Sequence, residues 1–376
     1  MGSNRRRPRA RKTAVPQTSK RSRFVFRSAV LTVLFFLLIV VYRTAHLKNP
    51  SEIKQAAAAQ SSPRLLEDLL ALSPAELDRV DIALMNLLCA EGLPGAEQLN
   101  VDECLATLDQ WARHVKSETE RNFHQFRENP ANFENSEGYF RMLMIAVVVY
   151  EDFGVRYNPQ LISTPGEGGG DTRFFADSRD ILIHGLLGPQ HRGTCSSMPV
   201  LYLALGRRLG YPLKLVTTRE HLFLRWEDAA DRFDLEATGK GMNRYTDEHF
   251  RQWPFPITDA EINENGYLKS LTPAQELSVF LSIRGACLME NRRLPEAVAS
   301  FDASYRLAPE WKDNQVLLAV ARQRLSGGVQ SAAKITQQRA NDLNPQPQGG
   351  NNTGQSGPPD PNPLKQLQNQ NPMTPP

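Results

Sequence analysis

The chain has 376 residues, 40% of them apolar, a formal charge of +3 and four cysteines. That apolar content can bury one large or two modest cores, which excludes a wholly disordered chain. Four thiols in this length, Cys89, Cys104, Cys195 and Cys287, exclude a disulfide framework, although Cys89 and Cys104 are near enough in sequence to pair in an oxidising compartment.

The charge is unevenly placed. Nine of the 44 Lys and Arg fall within residues 1–23, where there is no acid, leaving 35 basic against 41 acidic residues elsewhere. Residues 1–23 read as a basic, disordered cytoplasmic arm, and residues 24–43 as a transmembrane anchor. The run Ser28–Tyr42 has fifteen uncharged residues, or nineteen counted from Phe24 if Arg27 snorkels to the interface. The positive-inside rule keeps the arm in the cytoplasm and sends the main domain across, giving a single-pass membrane protein with a periplasmic domain. A cleaved signal peptide competes with this reading, but no small-x-small site directly follows the apolar run. An arm that flanks an anchor has its partner in the membrane, so no nucleic acid is expected; a basic arm binding nucleic acid is the weakest alternative. Residues 44–63 are a polar linker.

The folded part starts at residue 64. Ser73-Pro74-Ala75-Glu76 is a capping box with proline at the first helical position, followed by the apolar stripe Leu77, Val80, Leu84, Leu87 and Leu88. A second helix starts at Asn100, with Cys104, Leu105, Leu108, Trp111 and Val115 inward. A third, strongly apolar helix covers 137–153 and ends at Gly154. Tyr157 to Asp171, with its PGEGGG run, reads as a flexible loop, and Asp180 to Leu187 as a short helix.

Thr194 can cap a helix along which Met198, Leu201, Tyr202, Leu205 and Leu209 recur at helical spacing, and Gly193 before it permits a tight approach. Cys195 falls in the first turn, where unpaired amides and the helix dipole favour a thiolate. Pro199 removes one early hydrogen bond and can move the cap a residue or two onward. Leu213–Thr217 and His221–Trp226 then read as strands, the second with His221, Phe223 and Arg225 on one face. In a third strand Asp234 and Glu236 share a face, so a hairpin can bring one of them beside His221.

A helix-borne thiol, a strand-borne imidazole and a carboxylate on the next strand are the parts that nucleophilic acyl transfer needs. In this order and setting they resemble the transglutaminase-like superfamily over roughly residues 64–270, in particular a bacterial branch with a helical N-terminal region and a C-terminal tetratricopeptide-like segment. The resemblance implies an α+β, transglutaminase-like (papain-like) core of helix and antiparallel sheet, with Cys195 and His221 at the first two catalytic positions. The third stands in a D-P-T-like turn in that superfamily. Here Glu236-Ala237-Thr238 occupies the turn and Asp234 precedes it by two, so both acids stay candidates, with Glu236 preferred. By analogy with cysteine hydrolases, Gln190 is a candidate oxyanion donor beside the Cys195 amide. There is no CxxC pair and no HExxH; His191 with Cys195 is a weak zinc signal. No metal and no cofactor are expected.

From Ser278 onward Leu281, Gly285, Leu288, Ala297, Phe301 and Pro309 match a tetratricopeptide unit, with Arg284 and Ser304 at positions usually apolar or small. This makes residues 271–326 a helical segment, including a helix from Asn314 to Leu325, and residues 278–325 a surface for a protein partner. Residues 327–376 read as a disordered tail. Two functions compete: a membrane-anchored cysteine hydrolase or acyl transferase acting on a protein or peptide, and a non-catalytic membrane adaptor using a degenerate enzyme fold.

Overall fold

The computed structural model describes residues 63–161, 174–239 and 242–343. The basic arm, the apolar run Ser28–Tyr42, the linker, the PGEGGG segment and the chain beyond 343 lie outside the described residues. Among the described residues no helix is long and apolar enough to cross a membrane.

Capping chemistry sets most helix starts. After a first turn, α1 (Leu66–Leu70), Ser73 and Glu76 form the capping box of α2 (Pro74–Leu77). The stretch expected to be one helix is two, because Asp81 accepts the Ala83 N–H at 2.7 Å and opens α3 (Ile82–Leu88). An aspartate that bonds its own backbone competes with helix continuation. Asn100 caps α4 (Val101–Glu128), Ser136 caps α5 (Glu137–Val147), and a π-turn at Val148–Asp152 follows.

Tyr157, expected in a loop, instead belongs to a strand. In β1 (Arg156–Tyr157) it pairs in parallel with β2 (Arg192–Gly193) across a long sequence gap that no local pattern reveals. Between them are two single turns, α6 (Ser178–Ile181) and α7 (His184–Leu187), where one short helix was expected. The long central helix α8 (Met198–Arg208) follows. Then come β3 (Leu213–Thr218), β4 (His221–Glu227), β5 (Arg232–Leu235) and β6 (Arg244–Tyr245), an antiparallel sheet in chain order. The architecture is therefore α+β. Short helices α9 (Asp247–Gln252) and α10 (Asp259–Asn265) lead to α11 (Pro273–Glu290), α12 (Leu294–Leu307) and α13 (Lys312–Leu343).

The core lies where α8 packs on α3, α4, α5 and β3; Val200, Leu201, Leu203, Ala204 and Leu205 are fully buried there. At the α11–α12 crossing, a Cβ on Gly285 would stand 2.7 Å from the Phe301 ring, so only glycine permits this approach. The two residues that depart from the repeat pattern have partners. Arg284 donates to the carbonyls of Cys89 (2.9 Å) and Glu91 (2.6 Å) at the end of α3, where they would otherwise be orphaned. Ser304 joins Ser278, Ser282 and Asn314 in a buried hydrogen-bonded cluster. Helices α11 and α12 thus dock on the preceding helices, further tied by Arg207 to the fully buried Glu276 at 2.6 Å.

α13 continues to Leu343, past Leu325 and into the expected tail. Residues 328–343 contain Ala, Lys, Gln and Arg and no proline until Pro345, so helix propensity carries on where large apolar residues become few.

Candidate active site

Cys195 lies in the turn that leads into α8 rather than in its first regular turn. The helix starts at Met198, with Ser197 at the cap position and Pro199 second. Proline disfavours helical geometry in the residue before it, which delays the regular helix. The turn is held from behind. Thr194 Oγ1 and Ser197 Oγ both donate to the Asp180 carbonyl at 2.9 Å, while the Thr194 N–H donates to Ser197 Oγ at 3.0 Å. A Cβ on Gly193 would meet Ser197 Oγ at 2.4 Å, so glycine is required for this close packing.

His221 opens β4, opposite Thr218 on β3. Its Nε2 lies 2.6 Å from Glu236 Oε2, and the other carboxylate oxygen accepts from the Thr238 N–H (2.7 Å) and Thr238 Oγ1 (2.5 Å). The Glu236-Ala237-Thr238 turn therefore saturates the carboxylate and fixes its orientation. With Nε2 occupied, the nitrogen left for the sulfur is Nδ1, which is buried without a hydrogen-bond partner. Cys195 is close enough to the ring to favour its charged form. Three side chains from a turn, a strand start and the end of the next strand thus converge. Cys195 is 5% exposed, His221 4% and Glu236 4%.

Burial works against a charged imidazole, but the Glu236 carboxylate and the Cys195 side chain outweigh it and push His221 up to about 10. Burial likewise opposes the Glu236 charge, yet His221 and Thr238 hold the carboxyl below its ordinary range. The pair is a buried imidazolium–carboxylate. Burial pushes Cys89 and Cys287 up to about 12 and Cys104 up to about 11.

The second acid has a different partner. Asp234 bonds Arg225 at 2.6 and 3.3 Å, both side chains being 1% exposed, and Arg225 also bonds Asp247 at the start of α9. Burial pushes Asp234 up to about 6 against the pull of Arg225. Its role is to tie β4, β5 and α9 together. α9 in turn covers His221: Phe250 stacks on Phe223 at 3.7 Å, and Trp253 meets the imidazole edge-on at 4.8 Å.

Gln190, by contrast, is exposed in the turn before β2, and no hydrogen bond ties it to the cluster. His191 Nδ1 lies 2.8 Å from the Leu186 carbonyl, and its ring tilts against Trp111. Sequence reasoning passed over Tyr157. The strand pairing sets it opposite Gly193, two residues before the cysteine, and burial with the neighbouring Cys195 raises its phenol above the ordinary range.

A thiol, an imidazole and a fixed carboxylate in sequence can move a proton from sulfur to ring and back, the requirement for attack on a carbonyl. Comparison with protein-family models, with curated proteins and with solved structures finds no match for the chain.

Proposed function

We propose that the chain is a cysteine-dependent acyl-transfer enzyme of the transglutaminase-like type, cleaving or transferring an amide or ester carbonyl of a protein or peptide. The observation that carries this reading is the His221–Glu236 contact beside Cys195, three groups brought together from distant elements. The thiol proton resides on His221 Nδ1 while Sγ attacks the carbonyl carbon and the C=O electron pair moves to oxygen. Collapse of the adduct expels the amine or alcohol, which takes the Nδ1 proton and leaves a thioester on Cys195. Water or a second amine then gives its proton to the ring and releases the thiol. Glu236 stays ionised throughout and stabilises the imidazolium. The run Ser28–Tyr42 would tether this domain to a membrane, with the active domain outside the cytoplasm.

Labelling of the intact protein with iodoacetamide tests the reading. Cys195→Ala abolishes fast labelling and Cys89→Ala leaves it unchanged; equal labelling of the two variants would contradict the proposal. The burial of all three groups favours a second reading, an adaptor that keeps the fold without turnover. That reading requires Cys195 to be no more reactive than the half-buried Cys104.

A further inference from the structure

The torsion that turns a histidine ring is soft, so the single hydrogen bond at Nε2 of His221 fixes that nitrogen and leaves the plane of the ring to its neighbours. The plane decides where the unpartnered Nδ1 faces. Two rings set it. Trp253 meets the imidazole edge-on, at 4.8 Å and 76°, and Phe250 lies nearly parallel to it, at 6.2 Å and 19°. Edge-on and offset-parallel contacts at such separations are the arrangements that aromatic rings favour.

The indole is itself held in place. The Trp253 N–H donates to the His249 carbonyl at 2.9 Å, so the helical spacing of α9 carries on to Trp253 and puts it on one face with Tyr245 and His249. Their rings follow one another, Tyr245 on His249 at 4.0 Å and His249 on Trp253 at 5.6 Å. On the sheet side Thr218, the cross-strand partner of His221, donates through Oγ1 to the Phe250 carbonyl at 3.0 Å. Val216, Phe223 and Phe250 form a small buried cluster of their own, and the half-buried Trp253 packs on this cluster and not on the main core. Its nearest ring contact is the imidazole.

Resting on the acyl-transfer reading, we propose that Trp253 is the positioning residue of that site: the indole holds the His221 ring in the plane that turns Nδ1 toward Cys195. Without the indole the imidazole keeps Glu236 at Nε2 but rocks about that contact. Nδ1 then spends less time at the sulfur, the thiol loses its proton acceptor, and a thiolate forms only at higher pH. No bond forms or breaks at Trp253.

The pH profile of iodoacetamide alkylation in the full chain, read by mass at the Cys195 peptide, tests this role because the thiolate is the species that reacts. Trp253→Ala should move the midpoint of the profile up by about one unit, the low end of what a neighbouring opposite charge supplies. Trp253→Phe, which keeps a flat ring, should restore most of that shift. Asp247→Asn weakens the ties of α9 to Arg225 and Arg232 but leaves the rings stacked, so its midpoint should match the wild type. Loss of packing alone lowers the folded fraction, followed by urea unfolding, without moving the midpoint. Should Trp253→Ala fail to fold, Trp253→Leu, which keeps apolar bulk without the flat ring, takes its place. An unmoved midpoint in the folded variant, or an equal shift in Asp247→Asn, would overturn the assignment. A wild-type profile at Cys195 no different from that at Cys104 would instead sink the acyl-transfer reading, and this role with it.

Discussion

Glu236 reaches His221 across fifteen positions of sequence, with Oε2 2.6 Å from Nε2, while Asp234 on the same strand face bonds Arg225. Register decides between them. Arg225 pairs with Asp234 and Leu224 with Leu235, so the ladder carried one step on sets Glu236 opposite Phe223, diagonal to His221. Diagonal neighbours on a sheet face stand about 7–8 Å apart at the backbone, a span for long side chains. Glu236→Asp should therefore lose the 2.6 Å contact, and Glu236→Gln should keep its shape but lose its charge. We expect Glu236→Gln to slow acylation of Cys195 by about 10²–10⁴-fold, the loss seen when a triad acid is neutralised, with Glu236→Asp in between. An unchanged rate in both variants removes Glu236 from the site.

Asp234→Asn should act on stability instead. It leaves the Arg225 guanidinium, 1% exposed, without its principal buried counter-charge. Breaking one side of a buried pair costs about 3–5 kcal/mol. Urea unfolding should show that loss, while the folded fraction still alkylates at Cys195. The reverse pattern would exchange the roles of the two acids.

The pH dependence of stability follows from the His221–Glu236 pair. The folded imidazole titrates at about 10 against 6.5 when free, so its contribution is fully present below pH 6.5 and is lost as pH rises through about 10. Glu236, held below 4.5, contributes above that value and loses its effect as pH falls through its folded pKa. Unfolding free energies measured from pH 6.5 to 10 should fall by a few kcal/mol more in the wild type than in His221→Gln. Parallel curves would show that the ring is not charged in the folded protein.

Packing of the C-terminal helices rests on Gly285. Gly285→Ala places a methyl group 2.7 Å from the Phe301 ring and should cost about 1–3 kcal/mol of stability. Combined with Phe301→Leu, the loss should be less than the sum of the single losses, because the second change makes room. Strict additivity in thermal unfolding would mean that the two positions do not touch.

Local chemistry was readable wherever its partner lay within a few residues. The capping box at Ser73–Glu76, the Asn100 cap, the hairpin and the small residue at 285 all follow from short-range pattern. What misled was competition at the same range. Asp81 splits the first long helix, and Pro199 delays α8 so that Cys195 precedes it. A long-range pairing such as Tyr157 with Gly193 leaves no local periodicity, and so a strand residue read as loop.

By itself the sequence determined that a thiol, an imidazole and two acids would occupy a helix start and neighbouring strands, because side-chain alternation and capping are properties of the local backbone. Only the tertiary structure decided which acid meets the ring, since a two-residue difference in strand register would exchange the histidine contact for the buried arginine pair. It likewise placed Tyr157 opposite Gly193, two residues before the cysteine, because proximity through a parallel ladder depends on how the whole chain closes.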